Sequence, residues 1–163
     1  MSGASSWSFR EEDFKRIQVK LADFLRESTA STGLIVDRTG QLVATVGEAP
    51  TFDSVAFASL TAADFSANDQ LAKMIGEKEF GSLFHQGERE SMYLADVAHR
   101  VILVVLFDNR TTLGMVKLRV KSTVGELTQV FTDMFGRDGS ASKAQMDTGF
   151  VGEAEDEIDK LFG

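Results

Sequence analysis

Proton transfer or metal binding in this 163-residue chain would have to be built from two histidines, His85 and His99, and the neighbouring carboxylates Asp64 and Asp69. Neither histidine has a carboxylate at ligand-type spacing, and the two lie fourteen positions apart, on an expected strand and an expected turn. A carboxyl acid–base pair needs a pocket that sets two carboxyls apart, whereas Asp64 and Asp69 read as groups on a solvated helix face. The chain has no cysteine, which excludes thiol catalysis, a thiolate zinc site and disulfides. No phosphate-binding glycine loop, G-x-G-x-x-G strand exit or G-x-S-x-G elbow occurs. The residues therefore predict no catalytic group, no metal and no cofactor, and a protein that works through its surfaces.

Charge narrows the partners. With 25 acids against 17 bases the net charge is −8, which argues against nucleic acid and against an anionic membrane surface. Residues 1–7 lack the layout of a signal peptide, and no apolar run approaches the ~20 residues of a membrane helix. The expectation is a cytoplasmic protein with no membrane insertion. Arg110, Lys117, Arg119 and Lys121 form a local basic exception, readable as a solvated surface or as a docking patch for an acidic partner or for the chain's own tail.

The elements that hold these groups follow from hydrophobic period. Ser8 with Glu11 has the form of a capping box, and Phe14, Ile17, Leu21, Phe24 and Ser28 predict a helix over about 9–29. Segments 33–37 and 42–46 around a Gly-containing turn predict an antiparallel hairpin. Asp53 is placed to cap a second helix that runs to about Ile75 and is closed by Gly76. Strands follow at 82–86, 91–97 and 101–107, the last a seven-residue apolar run suited to burial on both faces. Beyond it Val116, Val120, Val124, Leu127, Phe131 and Met134 predict a third helix ending at Phe135.

After Gly136 the composition turns small and polar. It predicts a domain over 8–135, a flexible linker over 136–152 and an acidic tail helix over 153–163, with Ile158, Leu161 and Phe162 on one edge. The fold class is α/β, in the order α-β-β-α-β-β-β-α around a five-stranded, mostly antiparallel sheet.

The second helix carries the most telling pattern. If Ala56, Leu60, Ala63, Ala67, Leu71 and Met74 form its buried stripe, Phe65 falls on the opposite side among Ala58, Thr61, Ala62, Asp69 and Ala72. An exposed aromatic among small residues would be a contact surface.

With these elements in place the chain resembles the Roadblock / dynein light chain superfamily, and within it the bacterial MglB type. The resemblance rests on Ala58-Ser-Leu-Thr-Ala62, Leu71-Ala-Lys-Met-Ile-Gly76, Phe84-His-Gln-Gly87, Met92-Tyr93 and above all the run from Val101 to Val120. It implies a homodimer whose sheets join edge to edge, with the second helices forming a platform for one small Ras-like GTPase of the MglA type. It further implies a GTPase-activating protein that supplies no arginine finger and reorganises the GTPase's own catalytic groups, in bacteria that set cell polarity or motility with such a pair. Carried over by position, the platform comprises Ala62, Phe65, Ser66, Asp69, Gln70 and Lys73, so that Phe65→Arg should abolish binding and leave the fold intact. The tail residues Ile158, Leu161 and Phe162 would bind the same GTPase on a second surface and favour nucleotide exchange. Two other readings compete: a Roadblock scaffold that binds without activating, and a small-ligand sensor module of the PAS or GAF kind.

Overall fold

The computed structural model describes the backbone of residues 10–146 and the side chains of residues 10–136. The elements run α1 (Glu11–Ser28), β1 (Thr32–Asp37), β2 (Leu42–Gly47), α2 (Ser54–Met74), β3 (Ser82–His85), β4 (Ser91–Val97), β5 (Val101–Phe107) and α3 (Leu113–Met146). One antiparallel sheet in the order β2-β1-β5-β4-β3 separates α1 and α3 on one face from α2 on the other. The predicted order and sheet are thus found.

The central strand explains the three layers. Along β5, Val101, Leu103, Val105 and Phe107 point into the α1/α3 core, while Ile102 and Val104 point into the α2 core, and all six are buried. A period of two with apolar residues at every position is the pattern of a strand covered on both faces. The α1 stripe is also as read, with Ile17, Leu21, Phe24 and Ser28 buried and Phe14 partly so. The cap proposed at Ser8 lies outside the described residues. Within them, Arg10 precedes the first turn, and its backbone N–H donates to the Asp13 carboxylate at 3.3 Å.

The β1–β2 turn is fixed by Asp37, whose Oδ1 accepts from the Thr39 hydroxyl at 2.7 Å and from the Thr39 and Gln41 amides at 3.0 and 2.9 Å. Gly40, at φ 96°, brings this turn against α2, where a Cβ would stand 3.0 Å from the Ser59 Cα. Opposite Ile35 and Val36 the pairing slips by one residue, so that Val43 forms a bulge on the outer strand β2. β3, at the other edge, is regularly paired with β4 throughout.

Two features differ from the sequence reading. The third helix does not stop at Phe135: it continues through Gly136 to Met146, so the stretch assigned to a flexible linker is helical over its first ten or so residues. Each of Gly136 and Gly139 costs a helix only about 1 kcal/mol relative to Ala, and Ala141, Lys143, Ala144, Gln145 and Met146 are strong helix formers. The rest of the linker and the acidic tail, with Ile158, Leu161 and Phe162, lie outside the described residues. The second correction concerns α2.

Candidate partner-binding face

α2 begins as its sequence dictates. The Asp53 carboxylate accepts from the Val55 and Ala56 amides at 3.0 and 3.2 Å, satisfying two donors of the first turn. At the other end Gly76, at φ 88°, donates to the Lys73 carbonyl and Glu77 to that of Ala72, which closes the helix.

Its orientation is the reverse of the one expected. Ala58, Thr61, Ala62, Phe65, Asn68 and Ala72 face the sheet, and Phe65 is only 1% exposed, packed in one core with Leu34, Leu94, Ile102 and Val104. The stripe expected to be buried faces outward: Ala56, Ala63 and Ala67 are exposed, as are Leu60 (70%), Leu71 (57%) and Met74 (82%). Phe65 is therefore turned into the core rather than outward, and Phe65→Arg would place a charge there. Small residues at 58, 62 and 72 let the helix axis approach the sheet, and Phe65 fills the remaining depth. Thr61 and Asn68, polar yet buried, hid this face from a hydrophobicity reading; the Asn68 amide donates to the Ser82 carbonyl at 3.4 Å.

The six residues proposed as a platform consequently divide. Ala62 and Phe65 belong to the core, whereas Ser66, Gln70 and Lys73 are exposed and Asp69 is half-buried. Ala62, Ser66, Asp69 and Lys73 share one side of a cleft of about 370 Å³ whose other side is Arg38, Lys78, Glu79 and His99.

No local pattern announces the charge network beneath that cleft, because its members lie far apart in the chain. Arg38, in the β1–β2 turn, pairs with Asp69 of α2 at 2.9 Å and with Asp96 of β4, and its guanidinium lies over the Phe65 ring. His99 sits 3.3 Å from both Asp96 and Glu79. On the opposite flank of α2, His85 of the edge strand meets Asp64 at 2.6 Å. Each histidine thus has carboxylate neighbours, and these links tie α2 to the turns and to β3. Among the described residues no group of three or more His, Cys, Asp or Glu side chains is arranged to hold a metal ion.

A separate ion pair fixes the entry to α3. Arg110 donates to Asp108 at 2.9 Å and to Glu48 at 3.2 Å. Its hydrogen bonds, with those of its own amide, hold the Asp108 carboxyl below its ordinary value of 3.8, and the same contacts raise the Arg110 guanidinium, Asp108 contributing most.

The Roadblock/LC7 domain model matches residues 17–107, which spans β1 to β5 and all of α2. The chain belongs to the Roadblock/LC7 family. Among solved structures, Myxococcus xanthus MglB superposes on this Roadblock domain with a TM-score of 0.73 at 41% identity, covering 78% of this chain and 96% of that one. The gliding protein MglB of Thermus thermophilus follows with a TM-score of 0.71 at 32% identity, covering 77% and 95%. A Roadblock/LC7 domain from Streptomyces avermitilis shares the fold alone, with a TM-score of 0.64 at 9% identity and coverage of 71% and 97%. No curated protein sequence matches the chain. Among the described residues no helix is long and apolar enough to cross a membrane.

Proposed function

We propose that this Roadblock protein is a GTPase-activating protein for a small Ras-like GTPase of the MglA type, acting as a homodimer. The observation that carries the reading is the 41% identity to Myxococcus xanthus MglB across 96% of that chain. In support, α2 presents Leu60, Leu71 and Met74 to solvent, and large aliphatic side chains on one exposed helix face are the mark of a surface made to be covered.

In this reading the outer face of α2, doubled by a second copy, forms the apolar centre of the platform. Ser66, Asp69, Gln70 and Lys73 form its polar flank, and Phe65 with Ala62 supports it from below. The protein contributes no group to the reaction. It fixes the partner's catalytic residues around the transferring phosphoryl group, where correct placement of stabilising charge is worth about 10³–10⁵ in rate. The tail residues Ile158, Leu161 and Phe162 would make a second contact that favours nucleotide exchange. In a bacterium such an activator, concentrated at a cell pole, would control polarity or motility.

The test is phosphate release by an MglA-type GTPase of the same organism, with and without the purified chain. Acceleration of at least about a thousandfold is expected, the lower end of the range open to such activators. Binding with unchanged turnover would make the protein a scaffold instead, and no binding would discard the reading.

A further inference from the structure

Lys117 and Lys121 stand one helical turn apart on the exposed side of α3, a spacing at which like charges repel. Arg110 and Arg119 of the same basic cluster are paired with Asp108, Glu48 and Glu27, whereas neither lysine has an ion pair among the described residues. The two lysines rim a groove of about 370 Å³ whose lining includes Tyr93, Ala95, Val120 and Val124, with Ser82 of β3 on the far side. Asp96 is the one carboxylate residue in the lining, and its charge is turned away. Side chains alternate along β4, Tyr93 and Ala95 with the α1/α3 core and Leu94 with the α2 core, so the Asp96 carboxylate lies on the α2 side, where Arg38 holds it. The groove has an apolar floor and a basic rim.

Widths decide what fits there. Strands about 4.8 Å apart make a five-stranded sheet about 24 Å wide, and two helices packed about 8–10 Å apart cover roughly 16–20 Å of it. On this face α1 lies over β1 and β2 and α3 over β4, so the uncovered strip runs along β3. In one copy that strip is about one strand wide, too narrow for a helix of about 10–12 Å diameter. β3 is also an edge strand, open to pairing with a second copy. Two copies joined there bring two strips side by side, about 10 Å in all, with Lys117 and Lys121 along both banks.

We infer that this trough is a second docking surface, which takes one acidic amphipathic helix of a partner protein per dimer. The inference rests on the homodimer proposed above. Lysines on both banks of an apolar floor match a helix that carries carboxylates on both flanks of an apolar stripe. The trough lies across the sheet from α2, so its occupant does not compete for the face assigned to the GTPase. A lipid surface fits less well, because the floor is narrow and recessed and the chain as a whole carries a charge of −8.

The probe is a fluorescein-labelled synthetic helix of about 18 residues, with Leu at i, i+3 and i+4 spacing and Glu on both flanks, titrated with the full chain and followed by anisotropy. Its twin carries Lys in place of each Glu. Sedimentation velocity first fixes the state of the chain: a monomer would overturn the homodimer and this inference together, whereas a dimer that ignores the acidic peptide would overturn this inference alone. The expected result is one acidic peptide per two chains, bound at least about tenfold more tightly than its twin. Lys117→Glu with Lys121→Glu should weaken the acidic peptide at least about tenfold and leave both the dimer and GTPase activation as in the parent. Roughly 1 M salt, which shortens the Debye length to about 3 Å, should also weaken it without any substitution. Two peptides per dimer, or equal affinity in the lysine variant, would overturn the inference. So would binding to anionic vesicles, or association beyond the dimer, that the lysine variant abolishes, since the trough would then belong to a membrane or to further copies.

Discussion

The guanidinium of Arg38 lies over the ring of Phe65, 4.9 Å from its centre, while the same group pairs with Asp69 and Asp96. A side chain from the first hairpin thus roofs the largest residue of the α2 core and joins it to β4. Phe65 is held from below by Leu34, Leu94, Ile102 and Val104 and from above by a cation.

Removing that ring should be costly. Phe65→Ala is expected to lower stability by about 3–5 kcal/mol, as for other buried aromatics, and Phe65→Arg should prevent folding. Urea denaturation followed by circular dichroism measures both. A loss under 1 kcal/mol for the alanine variant would mean that α2 does not dock on this face.

The outward face of α2 should respond in the opposite manner. Leu71→Glu or Met74→Glu changes an exposed residue, so the stability of the single chain should stay within about 0.5 kcal/mol of the parent. Self-association by sedimentation velocity, and activation of the GTPase, should both fall at least about tenfold, the equivalent of 1.4 kcal/mol at an interface. Unchanged association in both variants would place the interface elsewhere.

The difference between these two substitutions marks where sequence reasoning reached and where it stopped. The strand Val101–Phe107 was legible because seven apolar residues in a row fit few environments other than burial on both faces. Asp53 and Gly76 likewise announced the ends of α2, since capping chemistry is local. The rotation of α2 was not legible, because the helix is apolar on two sides. Its core side is built of Ala58, Ala62 and Ala72 with Thr61 and Asn68, and its outer side carries the larger aliphatics. A pattern rule assigns the larger aliphatics to the interior of their own chain, and here they are left for another surface. The pairs Arg38–Asp69 and His85–Asp64 were equally hidden, being 31 and 21 residues apart.

Two glycines should give opposite results when changed to alanine. Gly47 stands at φ 102°, and a Cβ there would lie 2.4 Å from the Ser31 carbonyl oxygen, so Gly47→Ala should cost at least about 1–3 kcal/mol. Gly125, within α3, has open space where its Cβ would go, and Gly125→Ala should stabilise by about 0.5–1 kcal/mol through helix propensity. Thermal melts of the two variants should move in opposite directions, and a shared direction would contradict the backbone described for the β2 end.

Acid should loosen the junction between β5 and α3. Because the Arg110 hydrogen bonds hold the folded-state Asp108 carboxyl below 3.8, the pair stabilises the fold above that pH and loses its effect as pH falls through the lower folded value. Asp108→Asn should remove this contribution, so that parent and variant differ near neutral pH and converge in strong acid. Chemical denaturation at a series of pH values from about 2 to 7 tests the sign; a gap that widens on acidification would refute it.

The bulge at Val43 gives the sheet two unlike rims. The kink interrupts the β2 rim at one point and leaves Ala44 to Gly47 in regular register, whereas β3 is regularly paired over all four of its residues. If two copies pair through β3, that rim is used up in each, and growth through β3 alone ends at two.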